Sequence, residues 1–536
     1  MLIWGRGLAL IFRRPRVKSA NRWYWMWIKP ALIAYLVAGL IPVSAWGQQP
    51  LSVIEWLGEH PPPDFSGSVL LEPPISETAL HPVIDVSPLE ALAEPVGLVP
   101  DNVTGLPLAL WGSSDPDVLA GLIANVAVAE SPAMQRLLYT LLLSETLPPA
   151  DRNAAETLLL ARIDRLLELG ATDPAQALVY QAGPTKSTAR FARWFDATLL
   201  TGDEDSSCAA LVPAPHLSSD YAARIFCGAR LGDWQTAALT LEVAHALALL
   251  PPDKLALLDR FLSPGVFEGA PPLPVPDNPA PLTFRLFETI GERLPTASLP
   301  RAFSTADLRD VAGWKAQLEA AERLVSVGAL SPNRLLGLYT ERLPAASGGI
   351  WDRVAALQRF ETALDTGSAA AVAKTLPIVW NAMRSVRLEV PFASLFAERL
   401  AAQDLDDPAA DMLAWQVRLL SDGYETAAQF PPDETARSAF LVALAQGAPG
   451  RIPASDATMQ AISDGFSNDT HLPDDLQRLL DAGQLGEVIL RAMVLMDSGM
   501  RGNPVELAAA LATLRSVGME DTARRAALQL LLLGQG

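Results

Sequence analysis

The apolar positions of this chain recur at helical spacing along most of its length. The pattern is clearest around Ala161 to Gln181, ARIDRLLELGATDPAQALVYQ. Leu159, Ile163, Leu166 and Leu167 fall on one stripe of a helix, while Arg162, Asp164, Arg165 and Glu168 lie mostly off it. Gly170 follows the last apolar residue, where a left-handed C-cap meets no Cβ penalty. Asp173 and Pro174 then read as the N-cap and first residue of a second helix. Its Ala175, Ala177 and Leu178 let a neighbouring helix come close.

The same punctuation returns downstream. Gly202-Asp203 precedes Cys208 to Leu211, and Gly232-Asp233-Trp234 precedes Ala237 and Ala238. Gly328, Gly367, Gly423 and Gly518 each stand before a further leucine- or alanine-rich stretch. Many of these glycines are about 30 to 40 residues apart, the period of paired-helix repeats, whose hairpins bury their apolar faces only by stacking. The expected fold class is all-α, an α-solenoid of stacked antiparallel helix hairpins. An ordinary all-α domain of antiparallel helices is the plainer alternative.

Departures from the pattern divide the chain. Residues 1–47 read as a signal peptide or an N-terminal membrane anchor. Seven basic residues and no acid precede Gln48, an apolar run spans Ala31 to Val43, and Ser44-Ala45-Trp46-Gly47 offers small residues for cleavage between Gly47 and Gln48. The uncleaved alternative uses Trp23 to Gly47, long enough to span a bilayer, and it too places the body outside the cytoplasm. Arg13-Arg14 fits a twin-arginine signal poorly, because Pro15 and Arg16 follow it. A start at Met26 instead of Met1 would give a more compact signal.

Residues 48–112 read as an acidic, proline-rich and largely disordered tether. They hold eleven prolines, and no Lys or Arg occurs from Gln48 through Gln135. Within the tether, Leu51, Ile54, Trp56 and Leu57 form a short apolar helix candidate suited to docking on a partner. Val96 to Trp111 is too apolar for a free linker and suits either docking or packing on the body. Residues 113–262 form a first helical block, opened by Asp115-Pro116. Residues 263–303 are a proline-rich loop or hinge with a short helix expected near Leu282 to Glu292. Residues 304–536 form a second helical block, begun by a capping pattern at Ser304 and Asp307. It ends Leu530-Leu531-Leu532-Leu533, an apolar end that must be covered, either inside the fold or by another subunit.

Charge narrows the partners. The formal net charge is −19, and beyond Gly47 the balance is 34 basic against 60 acidic residues. Such a surface repels phosphate backbones and anionic lipid, which argues against nucleic acid and leaves residues 1–47 as the membrane contact. The two cysteines, Cys208 and Cys227, lie in neighbouring predicted helices and outside the cytoplasm read as a disulfide. In the chain-entropy model a loop of this length stabilises by roughly 3 kcal/mol. Two buried free thiols are the alternative, and a metal site would need ligands beyond His216.

No catalytic, cofactor-binding or metal constellation emerges. The five histidines are scattered, and neither a nucleophile elbow nor a phosphate loop is present. Glu130-Ser131 followed by Pro132-Ala133-Met134-Gln135 faintly resembles the glutamate and Met-Gln motifs of lytic transglycosylases, with the spacing collapsed. The simpler reading makes Ser131 the cap of a helix beginning at Pro132. Remaining acids read as solvated helix faces.

Gly232-Asp233-Trp234 with Ala237-Ala238 resembles the first-helix pattern of tetratricopeptide-like repeats. The whole layout, with Leu51 to Leu57 and Thr104 to Gly112 as further cues, resembles uncharacterised exported helical-repeat proteins of bacteria, some labelled antifreeze glycopeptide polyprotein. The Ala-Ala-Thr tandem repeats that such a label implies are absent. The resemblance implies an envelope location and a helical body, and it brings no catalytic residue. The expected function is an exported, non-catalytic scaffold, periplasmic or anchored to the inner membrane, that binds an envelope protein or peptide. The alternatives are a cell-wall enzyme or its activator, and a structural component self-associating through its C-terminal helix.

Overall fold

The computed structural model describes residues 94–149, 152–309 and 311–534. The chain divides into two units, Met1–Ser87 and Pro88–Gly536, and all described residues belong to the second. Among them the regular elements are helices, and strand-like pairing is confined to two isolated bridges, Val96 to Thr146 and Val99 to Ser144. The fold is all-α.

Local chemistry explains most helix ends. Asp115, Ser131, Ser187, Asp407 and Asn503 each accept a hydrogen bond from a first-turn amide of the helix that follows. Gly170, Gly202, Gly232, Gly328, Gly367 and Gly518 all adopt positive φ after a helix, whereas Gly423 does not. The first hairpin is tighter than its sequence suggests. Ala171 N–H donates back to the Leu166 carbonyl at 2.8 Å, closing the helix Arg152–Leu169. The same residue is the N-cap of the helix Thr172–Ala182, so Asp173 lies inside the first turn and does not cap it. Ser304 and Asp307 are also not a capping pair: both fall within a single helical turn, Ser304–Asp307, and both are buried.

Many helices pack on the helix next to them in the chain, and the two ends of the body meet. The helices Pro116–Asn125 and Pro132–Leu143 pack against Leu485–Met500 and Glu520–Leu533 respectively. One hydrophobic core therefore holds residues from Leu106 to Ala306 together with Trp415 to Leu531. A second core, from Leu318 to Leu420, occupies the middle of the chain. The proline-rich stretch is not the boundary between them. Pro281 opens the helix Pro281–Thr289, whose Leu282, Phe284, Leu286 and Phe287 are buried in the first core. Phe284 meets Phe303 edge-on at 5.2 Å.

The closure is made by small residues and by fitted polar groups. Ala523, Ala526 and Ala527 of the C-terminal helix are buried. Gln529 on the same helix accepts a hydrogen bond from the Ala133 amide at 2.8 Å, satisfying a donor that the start of an α-helix leaves without an intrahelical partner. The Gly486 amide donates to the Leu110 carbonyl at 3.0 Å. A Cβ at Gly486 would lie 2.5 Å from the Trp111 ring, so that contact requires glycine. Residues 94–112, counted with the tether by composition, are thus part of the body, which is the packing alternative for Val96 to Trp111, with Leu106, Leu110 and Trp111 buried. The leucine-rich C-terminus is covered from within. Leu531 is buried in the first core, Leu532 packs on both cores, and Leu533 packs on the second.

Candidate binding groove

The helix Pro132–Leu143 has two working faces. Met134, Leu137, Leu138, Leu141 and Leu142 are buried in the first core. Gln135, Arg136, Tyr139, Thr140 and Leu143 form one wall of a groove of about 530 Å³. The facing wall comes from Val325, Ala329, Leu330, Val390 and Pro391. Tyr139 lies against Gly328, where a Cβ would come within 3.2 Å of its ring. The Tyr139 hydroxyl is buried without a hydrogen-bond partner, and burial pushes its pKa well above the usual phenol value.

Two exposed ion pairs tie this helix region to the other side. Arg136 meets Asp422 at 2.7 Å, and Arg387 meets Glu130 at 2.7 Å. Burial alone would raise the Asp422 pKa, but Arg136 and Arg525 outweigh it and hold the carboxyl below its ordinary range. Gln135 adds a link across, from its side-chain amide to the Ser326 carbonyl at 3.5 Å.

Next to the groove lies a cleft of about 820 Å³ of mixed lining, with Thr296, Ser304, Asp307, Glu319, Glu322, Arg323 and Ser385 among the polar groups in its wall. Ser326 and Arg387 line both spaces, so groove and cleft are immediate neighbours. Arg387 stands at the junction with φ of 57°, a left-handed conformation unusual for a residue with a side chain.

Carboxylates in and behind the cleft are held by cations. Glu322 accepts from Arg353 at 2.6 and 2.8 Å and from the Tyr339 hydroxyl. Asp307 accepts from Arg293 at 2.7 Å and from Thr296; burial raises its pKa against both partners. Behind it, Glu288 meets Arg285 and, at 2.6 Å, Arg309, and Glu204 meets Arg285 at 2.7 Å. Glu204, Glu288, Asp307 and Glu322 are therefore not the solvated faces their sequence suggests, but parts of buried ion networks between helices.

Two arginines read as off the apolar stripe are also buried. Arg162 donates to the carbonyls of Leu142, Val96 and Ser144 at 2.8 to 3.1 Å, and burial pushes its pKa down to about 10. Arg165 donates to the carbonyls of Ala124 and Val126 at 3.1 and 2.5 Å. Both answer carbonyls that their helices and loops leave open. A sequence signal existed, since arginine beside an apolar stripe can reach over it.

Of the residues singled out from the sequence, Gly47, Gln48, Leu51, Ile54, Trp56 and Leu57 lie outside the described residues. Cys208 and Cys227 are disulfide-bonded with Cα atoms 4.8 Å apart, both fully buried between the helices Glu204–Leu211 and Tyr221–Arg230. Glu130 is exposed and paired with Arg387, while Ser131 caps the helix Pro132–Leu143 by accepting from Met134 N–H. Among the described residues no group of His, Cys, Asp and Glu is arranged to hold a metal ion. No described helix is long and apolar enough to cross a membrane. The groove itself went unread in the sequence, because its walls come from segments near residues 132, 328 and 390. The chain matches no family model, no curated protein and no solved structure.

Proposed function

We propose that this chain is an exported, non-catalytic scaffold that binds a polypeptide segment of an envelope partner in the groove beside Pro132–Leu143. In this reading the hairpins form an α-solenoid whose ends are joined, and the N-terminal segment directs or anchors the body outside the cytoplasm. The observation that carries it is the groove, an apolar trough with hydrogen-bonding groups in the adjoining cleft. Such a combination suits a peptide, which offers apolar side chains and backbone polar groups together. The buried Cys208–Cys227 bond suits an oxidising compartment.

The test is site-specific photocrosslinking of the full chain in the producing cell. A photoreactive residue at exposed Ser394, in the groove, is expected to capture one polypeptide and map to one segment of it. The same residue at exposed Thr458, away from the groove, is expected to capture none. Equal labelling from both positions would sink the proposal.

A further inference from the structure

The cleft holds a cation whose charge no carboxylate answers. The Arg323 guanidinium donates through Nη1 to the Thr296 carbonyl at 3.0 Å and to Ser304 Oγ at 3.1 Å, and through Nη2 to the Leu299 carbonyl at 2.6 Å. A guanidinium carries five N–H donors in a planar fork. Nε–H and a second Nη2–H of Arg323 are left without a partner among the described residues, and together they form the side edge that grips a carboxylate with two parallel bonds. Beside it stands Arg301, which has no hydrogen-bond partner among the described residues and repels Arg323. Two adjacent cations without an acid are the arrangement that an incoming anion relieves.

The wall limits which anion fits. Asp307, Glu319 and Glu322 share the cleft, so a doubly charged phosphate would meet repulsion that a single carboxylate meets half as strongly. The cleft adjoins the apolar groove at Ser326 and Arg387, which line both. A ligand filling both is apolar at one end and carries one carboxylate at the other. We infer that Arg323 receives the α-carboxylate of a polypeptide C-terminus whose preceding apolar side chains lie against Leu330 and Val390. This rests on the peptide-binding reading above and adds which end of the peptide is held. Arg387, at the junction, is placed to meet the peptide backbone between the two.

The test uses the full chain and two N-acetylated octapeptide libraries with apolar residues in the last four positions, one with free C-termini and one amidated. Free acids are expected to bind, and amidation of each binder to weaken it by about tenfold, the loss of a charge-assisted bidentate contact. Arg323→Gln is expected to erase the difference between acid and amide. Because Arg323 also ties three internal acceptors, Ser385→Glu provides a second variant that leaves them intact. It adds a negative charge at an exposed cleft position and is expected to weaken the acids selectively. Acids and amides binding alike would overturn the terminal-carboxylate assignment and leave the groove reading standing. Binding of decanoate, with no peptide retained, would overturn the peptide end in favour of a lipid carboxylate. Failure of both libraries together with no Ser394 crosslink would remove the groove reading itself.

Discussion

The helices Pro132–Leu143 and Trp234–Ala246 are similar in length and in apolar content, yet they are used in opposite ways. The first buries seven of its residues, because the C-terminal helix and the first core close over it. The second buries only Ala237, Leu241 and Ala244, and leaves Leu239 62% and Trp234 50% exposed. Leu239, Val243 and Leu247, spaced four residues apart, make an apolar stripe that faces out. Apolar pattern therefore reports that a helix forms, and position in the array decides how much of it is covered.

The largest expected effect tests that difference directly. Leu138 is fully buried, so Leu138→Ala should lower stability by about 2 to 5 kcal/mol through lost burial and a cavity. Leu239→Ala should change it by no more than about 0.5 kcal/mol, as for other exposed sites. Thermal unfolding of the two variants side by side checks this. A comparable loss from both would show that the stripe on Trp234–Ala246 is covered in solution.

The second effect concerns what closes the body. Gln529→Leu removes the acceptor of the Ala133 amide while keeping the volume similar. Leaving a buried donor unmade costs about 1 to 3 kcal/mol. If the ends meet as described, hydrogen exchange should speed up in both Pro132–Leu143 and Glu520–Leu533. Faster exchange in the C-terminal helix alone would break the link between the two ends.

This closure marks the limit of what the sequence could tell. Periodicity and caps were legible because they are local: Ser131, Asp115 and the glycines after helices act within a few residues of themselves. The closure rests on Gln529, Gly486 and Ala133, residues of ordinary type whose importance comes only from meeting across the chain. The same holds for the groove, whose walls are far apart in sequence. Buried Arg162 was misread for a related reason. A side chain off the stripe is assigned to solvent unless something packs over it, and here residues 94–112 and the 144–146 turn supply that cover with carbonyls aimed at its guanidinium. The proline-rich stretch was legible in part, since a short helix was expected near Leu282 to Glu292 and one forms at Pro281–Thr289. Pro281 begins a helix where it does no harm, and Phe284 and Phe287 then bind that helix to the first core.

A third effect separates buried from exposed charge within the helix Thr188–Thr201. Asp196 has no hydrogen-bond partner among the described residues. Burial pushes its pKa up to about 6, with Arg193 opposing and Asp220 adding to the rise. The folded state thus favours the protonated acid. Below pH 3.8 both states are protonated and nothing is lost. As pH rises toward 6 the unfolded chain ionises first, and the fold loses stability until Asp196 ionises too. Asp196→Asn should therefore stabilise by about 1 to 2 kcal/mol at neutral pH, allowing for partial solvent screening, and by nothing near pH 3.5. Melting temperatures at pH 3.5 and 7.5 decide it, and an equal gain at both would mean that packing, not charge, is responsible.

The smallest effect lies at the groove. Arg136 and Asp422 are 67% and 70% exposed as side chains, so their bond is worth at most about 0.5 to 1 kcal/mol and weakens with salt. Asp422 also keeps Arg525 at 2.8 Å when Arg136 is gone. Arg136→Ala should leave the melting temperature almost unchanged, in contrast to Leu138→Ala two residues along the same helix. Its consequence belongs to binding. Arg136 lines the groove and holds Asp422 across it, so its loss should change the Ser394 crosslinking yield several-fold while the fold stays intact. A variant that melts early with unchanged crosslinking would reverse the division of labour between the two faces of Pro132–Leu143, making the outer face structural.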